Sequence, residues 1–388
     1  MNNTLGRQMK TWLVCAAALP VLVACSSEPG DGTTAASDRG SGDVATVSTE
    51  SPLDTDLDRI AITVASDRAA FAATDGLAVS VTMTNQASHA VRLLRWQTPL
   101  DGVHEPLFDV VRDGAPVDYV GRQYKRPAPR EKDYVVLAAE ESLTHTVDLG
   151  EAYDLSLTGS YTVRFHTDAP SLVRGLVQVA PLVSNDLGVQ VEGRPSAIAA
   201  PADALGNGGS AQGIVAVGAT TYSGGCTASE QRSLATALSS AAAYAGDALT
   251  YLNGTPGSRP RYTTWFGAYS SANWSTAKTH FANIKSALDT KSYVLDCSCT
   301  DDYYAYVYPT QPYKVYLCGA FWSAPNTGTD SRAGTIIHES SHFNVIASTD
   351  DRAYGQTACK KLAAKSPTKA LDNADTHEYF AENTPAQN

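Results

Sequence analysis

The chain has 388 residues, 43% hydrophobic and 18% charged, the balance of an ordinary soluble globular protein. Its length suggests two domains, or one domain with a long precursor segment. A formal net charge of -11 excludes nucleic-acid binding through a broad basic surface.

The N-terminus reads as an export signal: Arg7 and Lys10 give a basic start, "WLVCAAALPVLVA" (12–24) is apolar, and "LVAC" ends at Cys25. The apolar run is too short for a comfortable membrane span. "LVAC" followed by a Ser, Gly and Asp rich stretch resembles a bacterial lipobox, so residues 1–25 are expected to be a lipoprotein signal peptide. Cys25 would carry the lipid, and membrane contact would be made through that lipid alone. Residues 26–55 hold almost no large apolar side chains and are expected to be a disordered tether.

From residue 57 the hydrophobic period becomes two, in "RIAITVAS", "LAVSVTMTN", "AVRLLRW", "FDVVRDG", "DYVVLA", "LTHTVDL", "SYTVRFHT" and "GLVQVAP". Short strands at this spacing predict an antiparallel β-sandwich over 56–182, similar in outline to immunoglobulin-like modules. Residues 183–220 lose the alternation and turn Ala, Gly and Pro rich, as a linker open to proteolysis does.

After Cys226 the period is helical. Thr227 and Glu230 make a capping box, and Leu234, Leu238, Ala241, Ala245, Leu249 and Leu252 follow on one face. A second helix is predicted from about Ser275, with Trp274, Ala277, Phe281, Ile284 and Leu288 on its buried face. Short Tyr-rich strands, "YAYVYP" and "KVYLCG", precede further helices, so 221–388 is expected to be a mainly helical α+β domain. Of the cysteines, Cys15 and Cys25 belong to the leader, while Cys226, Cys297, Cys299, Cys318 and Cys359 lie in this region. An exported chain keeps disulfides, but spacing does not decide among the three ways of pairing four cysteines. Cys359, within "YGQTACKKLAAK", reads as a buried, inert thiol.

The segment "GTIIHESSHFNVIASTDDRAYGQ" carries His338 and His342 four residues apart. One helical turn places both imidazoles on one face, where they can share a zinc ion. Glu339, one position round, can reach a water at the metal without being a ligand. This five-residue pattern is not sufficient alone, and a third ligand must be found. A metzincin would have Gly at 345 and His at 348, whereas this chain has Val345 and Ser348. Glu378 or Glu382 from a later helix, or Asp350 or Asp351 just past the first, remain open, and spacing does not choose among them.

"HESSHF", "TDDRAYGQ" and "NADTHEYFAENTPAQ" resemble the deuterolysin family of zinc endopeptidases, the aspzincins, and within it the peptidyl-Lys metalloendopeptidases. The similarity extends over nearly all of 221–388, through "RYTTWFG", "YAYVYP", "VYLCGAFW" and "GTDSRAGT". It implies one zinc per catalytic domain, held by His338, His342 and Asp351. It implies Glu339 as general base and Tyr354 as hydroxyl donor to the oxyanion. Asp375 and Glu378, which on sequence alone could be a solvated acidic face, would line the pocket for the lysine after the cleaved bond. Charge alone would also admit arginine there. The resemblance further implies bridges Cys226 to Cys297 and Cys299 to Cys318, leaving Cys359 outside.

The function expected is hydrolysis of Xaa-Lys bonds in proteins or peptides by an enzyme made as an inactive precursor. Its β-sandwich would be a propeptide, and the catalytic domain would be free to leave the cell surface. That propeptide cannot act through a cysteine, because 26–225 contains none. The alternatives are a general deuterolysin-type protease without strict lysine preference, and a non-catalytic surface lipoprotein that binds a ligand.

Overall fold

A computed structural model of the protein describes residues 57–167, 181–194 and 220–388. The leader with Cys25, the tether, nearly all of "GLVQVAP" and most of the linker lie outside the described residues.

Most of the alternating stretches form two packed sheets, while Val91–Leu94 and Tyr134–Leu137 pair with each other as a separate two-stranded sheet. Ile60–Ala65, Ala78–Asn85 and Ser142–Asp148 make a three-stranded antiparallel sheet. Its inner face buries Ile60, Ile62, Val64, Val79, Val81 and Met83, while its outer face pairs Ser80 with Thr146 (2.7 Å) and Thr82 with Thr144 (2.8 Å) by hydroxyl hydrogen bonds. The second sheet centres on Gly159–Thr167, flanked by Phe108–Arg112 and Leu187–Val191. Val110, Tyr161, Val163, Phe165, Val189 and Val191 of this sheet join the first in one core.

Two findings depart from the sequence reading. Leu187–Val191 lies inside the stretch read as linker but pairs with Gly159–Val163, so the β-rich region extends past 182 to at least 191. Its ladder partner lies far back in the chain, which local composition does not reveal. In addition, the three residues Gln123–Lys125 leave the β-rich region and pair with the C-terminal one.

In the C-terminal region a mixed sheet runs Thr221–Ser223, Val294–Asp296, Lys314–Leu317, Ala305–Val307, and its edge is completed by Gln123–Lys125. That last strand is antiparallel to Ala305–Val307, with Lys125 opposite Ala305 and Tyr124 opposite Tyr306. Helix Ala228–Asn253 starts at the expected capping box: the Glu230 amide donates to Thr227 Oγ1 (3.2 Å) and the Thr227 amide to Glu230 Oε2 (2.7 Å). Its buried face holds Leu234, Ala241, Ala245 and Leu252, whereas Leu238 and Leu249 are only partly covered. Helix Ser271–Thr290 buries Trp274, Ala277, Phe281 and Ile284. Helix Arg332–His342 is buried along nearly its whole length beneath Ala374–Glu382. Gly334 permits that close approach, since a Cβ there would lie 2.9 Å from Glu378 Cγ.

Among the described residues the disulfides are Cys226–Cys297 and Cys299–Cys318, the pairs implied by the resemblance. The first closes a loop with a sequence separation of 71, the second one of 19. Chain entropy then predicts losses of about 4 and about 3 kcal/mol when each pair is replaced by serines. Denaturant melts of the two double variants check this, with the larger shift expected for Cys226→Ser/Cys297→Ser. Cys359 is buried, and burial pushes its thiol well above the usual range, as expected of an inert side chain.

Candidate active site

Ser331 caps the helix Arg332–His342, accepting from the Gly334 amide at 2.9 Å. The helix stops at His342, where Phe343 turns to φ -58°, ψ 128°. The chain then folds back: the Thr349 amide donates to Ser341 O (3.1 Å), and Ser348 takes a left-handed φ of 52°. Asn373 clamps the returning segment, its Oδ1 accepting from the amides of Arg352 and Ala353, each at 2.8 Å. This return brings Asp351 over the two histidines.

His338 Nε2 and His342 Nε2 lie 3.1 Å apart, and Asp351 presents Oδ1 at 3.2 Å from the first and Oδ2 at 3.4 Å from the second. All three side chains are buried. The outer ring nitrogens are held. His342 Nδ1 faces the Thr349 carbonyl at 2.7 Å, an atom that only accepts, so Nδ1 carries the proton there. His338 Nδ1 faces Asp375 Oδ1 at 2.9 Å. Both Nε2 atoms turn inward, towards an Asp351 Oδ1 that has no hydrogen-bond partner among the described residues. Two imidazoles and one carboxylate converging in a buried space can hold a cation between them, and they are a donor set that suits zinc.

The other third-ligand candidates point elsewhere. Asp350 Oδ1 accepts from Gln123 Nε2 (3.0 Å) and its Oδ2 pairs with Arg352 (3.3 Å). Glu378 stands 3.6 Å from His338 Nδ1, on the far side of the ring. Glu382 accepts from the Ser331 amide and hydroxyl at 2.8 and 2.7 Å. Glu339 lies beside the histidines, with Oε2 unpartnered among the described residues. Burial raises its carboxyl to about 7, against the lowering pull of His338 and His342. For Asp351, burial is outweighed by the charges of His342 and His338, which hold its carboxyl below the usual range.

Four residues of this site were not singled out from the sequence: Lys125, Glu105, Arg126 and Asp330. The Lys125 side chain is 1% exposed and its Nζ reaches Glu378 Oε2 at 2.9 Å, Asp375 Oδ1 at 3.0 Å and Asp330 Oδ1 at 3.3 Å. Burial opposes the ammonium, but Asp375 and Glu378 outweigh it and hold its pKa well above the ordinary value. Asp375 and Glu378 thus form a buried pocket and not a solvated face. The Lys125 amide donates to Glu339 Oε1 (3.1 Å) and the Tyr124 amide to Asp351 Oδ2 (2.9 Å). Tyr354 is buried, and its hydroxyl donates to Glu105 Oε1 (3.3 Å), which also accepts from Arg126 Nε (3.0 Å). The only local signal for any of this is "RQYKRPAPR", basic residues in a stretch without periodicity.

Known proteins are similar to this chain over most of its length. The family profile described as Lysine-specific metallo-endopeptidase, Aspzincin M35, matches residues 251–382. An extracellular protease of Aeromonas hydrophila is 45% identical over 324 residues, covering 81% of this chain and 90% of that protein. The chain belongs to the aspzincin M35 family. A peptidyl-Lys metalloendopeptidase of Armillaria mellea is 37% identical over 328 residues, covering 81% of this chain and 89% of its own. The solved structure of a zinc peptidase from Grifola frondosa shares 54% identity, covering 42% of this chain and all (100%) of that one, with a TM-score of 0.41. As an aspzincin the protein is a zinc metallo-endopeptidase, which sets aside the reading as a non-catalytic lipoprotein.

Proposed function

We propose that this aspzincin hydrolyses peptide bonds on the N-terminal side of lysine and is made as a latent precursor whose β-rich region fills its own cleft. The observation that carries the reading is Lys125: a lysine of the chain itself lies in the carboxylate pocket, on a strand added to the edge of the catalytic sheet. The name of the Armillaria relative, a peptidyl-Lys metalloendopeptidase, supports the lysine preference.

In this reading His338, His342 and Asp351 hold the zinc. Bound there, zinc would polarise the scissile carbonyl and acidify water. Glu339 takes the proton from the attacking water and returns it to the leaving nitrogen. Its Oε1 already accepts the Lys125 N–H, the nitrogen that departs when a bond before lysine is cut. Asp375 does two jobs, orienting His338 through Nδ1 and receiving the lysine ammonium. Tyr354 donates to the developing oxyanion once the precursor's Glu105 no longer accepts its hydrogen bond.

Latency arises from the same contacts, since Lys125, the Tyr124 amide and Glu105 engage the pocket, Asp351 and Tyr354 together. The β-rich region, read as an immunoglobulin-like sandwich, would be the propeptide. Maturation would cut the chain between its last described strand, ending at Val191, and Thr221. Export is supported by the Aeromonas relative's description as extracellular; lipidation of Cys25 rests on the sequence alone. The test is to express the whole chain, recover the active species, measure its zinc, digest a denatured protein and sequence the new termini. Lysine at those termini with one zinc per chain is expected. Termini without preference would reduce the enzyme to a general deuterolysin.

A further inference from the structure

A carboxylate pair explains attraction for a cation but not the choice of lysine over arginine. The ammonium of Lys125 has three N–H bonds to place: Asp375 Oδ1 and Asp330 Oδ1 each accept one, at 3.0 and 3.3 Å, while Glu378 Oε2 stands 2.9 Å from the same nitrogen as an ion-pair partner. Two of these carboxylates come from a single turn of the terminal helix, Asp375 and Glu378. The third, Asp330, belongs to a different segment, directly before the residue that caps the histidine helix.

Asp330 is held in place for this contact. Its backbone takes a left-handed φ of 52°, uncommon for a residue with a side chain. Its amide donates to Glu382 Oε2 (3.2 Å), and its Oδ1 accepts from the Tyr379 hydroxyl at 2.5 Å while also facing Lys125 Nζ. The rings of Tyr304 and Tyr379 each stand 5.3 Å from the same nitrogen, shielding it from water and offering π faces to the charge.

We infer that Asp330 is the third specificity residue of the substrate pocket, accepting, alongside Asp375, an N–H of the substrate's ammonium and so selecting lysine against arginine. The inference rests on the lysine reading above. Three carboxylates gathered on one nitrogen match a compact ammonium, which is a point charge with three donors. A guanidinium spreads its charge over three nitrogens in a plane, so no one of them can face all three acceptors. Because the Asp330 side chain is 40% exposed while those of Asp375 and Glu378 are fully covered, its effect is moderate and falls on discrimination more than on turnover.

The test compares Asp330→Asn and Asp330→Ala with the parent enzyme, each recovered as the active species from whole-chain expression. The substrates are two peptides that differ only in Lys or Arg after the scissile bond. The Asn variant keeps the shape if the Ala variant fails to fold, and zinc content and thermal midpoint report on the fold. Expected is a fall of about ten-fold in kcat/KM for the lysine peptide, mostly in KM, with the arginine peptide changed less than about two-fold. A parent enzyme that prefers lysine with an unchanged Lys/Arg ratio in both variants would overturn the role of Asp330 alone. A parent enzyme with no preference would overturn the lysine reading and this inference with it.

Discussion

Replacing Glu339 by glutamine is expected to leave the zinc bound and to lower kcat by a factor on the order of 10^3 to 10^4. Glu339 is not among the atoms that converge on the metal position. Its Oε1 instead meets the amide nitrogen that occupies the leaving-group position, and its Oε2 has no partner among the described residues. Glutamine fills the same space but neither accepts a proton from water nor passes one on. The contrast that makes the result specific is Asp351→Ala, expected to lose the zinc together with the activity, because it removes one of three ligands. Asp350→Ala should retain both, since that carboxylate is spent on Gln123 and Arg352. Metal analysis beside single-turnover rates on a Lys peptide separates the three variants. A Glu339→Gln enzyme of ordinary rate would remove the general-base assignment, and zinc kept by Asp351→Ala would return Glu378 to consideration.

What the sequence made legible is what local pattern dictates. The capping box at Thr227 and Glu230, the apolar face from Leu234 to Leu252, and the strand alternation from Ile60 to Thr167 each depend on residues within a turn or a pleat of one another. The His338, Glu339 and His342 spacing is of the same kind, a property of one helical turn. Asp351 against Asp350 was not, because adjacent aspartates differ only in how the turn after Phe343 lands, and Asn373, twenty-odd residues on, fixes that landing. Gln123–Lys125 and Leu187–Val191 were missed for one further reason. A three-residue strand has no period to detect, and both strands are defined by ladder partners far away in the chain. Asp330 precedes a helix and reads as ordinary N-terminal punctuation until the ammonium beside it is seen.

Lys125→Ala in the whole chain is expected to give an uncut precursor at least ten-fold more active on a Lys peptide than the unaltered precursor. Removing the ammonium leaves Asp375 and Glu378 as fully covered charges without their counter-ion, a cost of about 3 to 5 kcal/mol if nothing moves. The protein relieves that cost by letting the strand Gln123–Lys125 leave the sheet edge, which hydrates both carboxylates and opens the cleft to substrate. The three-residue ladder with Ala305–Val307 and the Glu105–Arg126 pair oppose this, so release is partial and not complete. Lys132→Ala is the matched control. Lys132 also bridges the two regions, to Asp302 at 2.9 Å, but its side chain is 56% exposed, and such a pair is worth at most about 1 kcal/mol. It should leave latency as it was. Lys125→Arg should fall between, because a guanidinium keeps the charge but cannot gather three carboxylates on one nitrogen. Intact mass before and after each assay establishes that the chain is uncut. Latency equal in the Lys125→Ala and parent precursors, with both folded and zinc-loaded, would mean that the β-rich region blocks the cleft by bulk alone and that Lys125 is a passenger in the pocket.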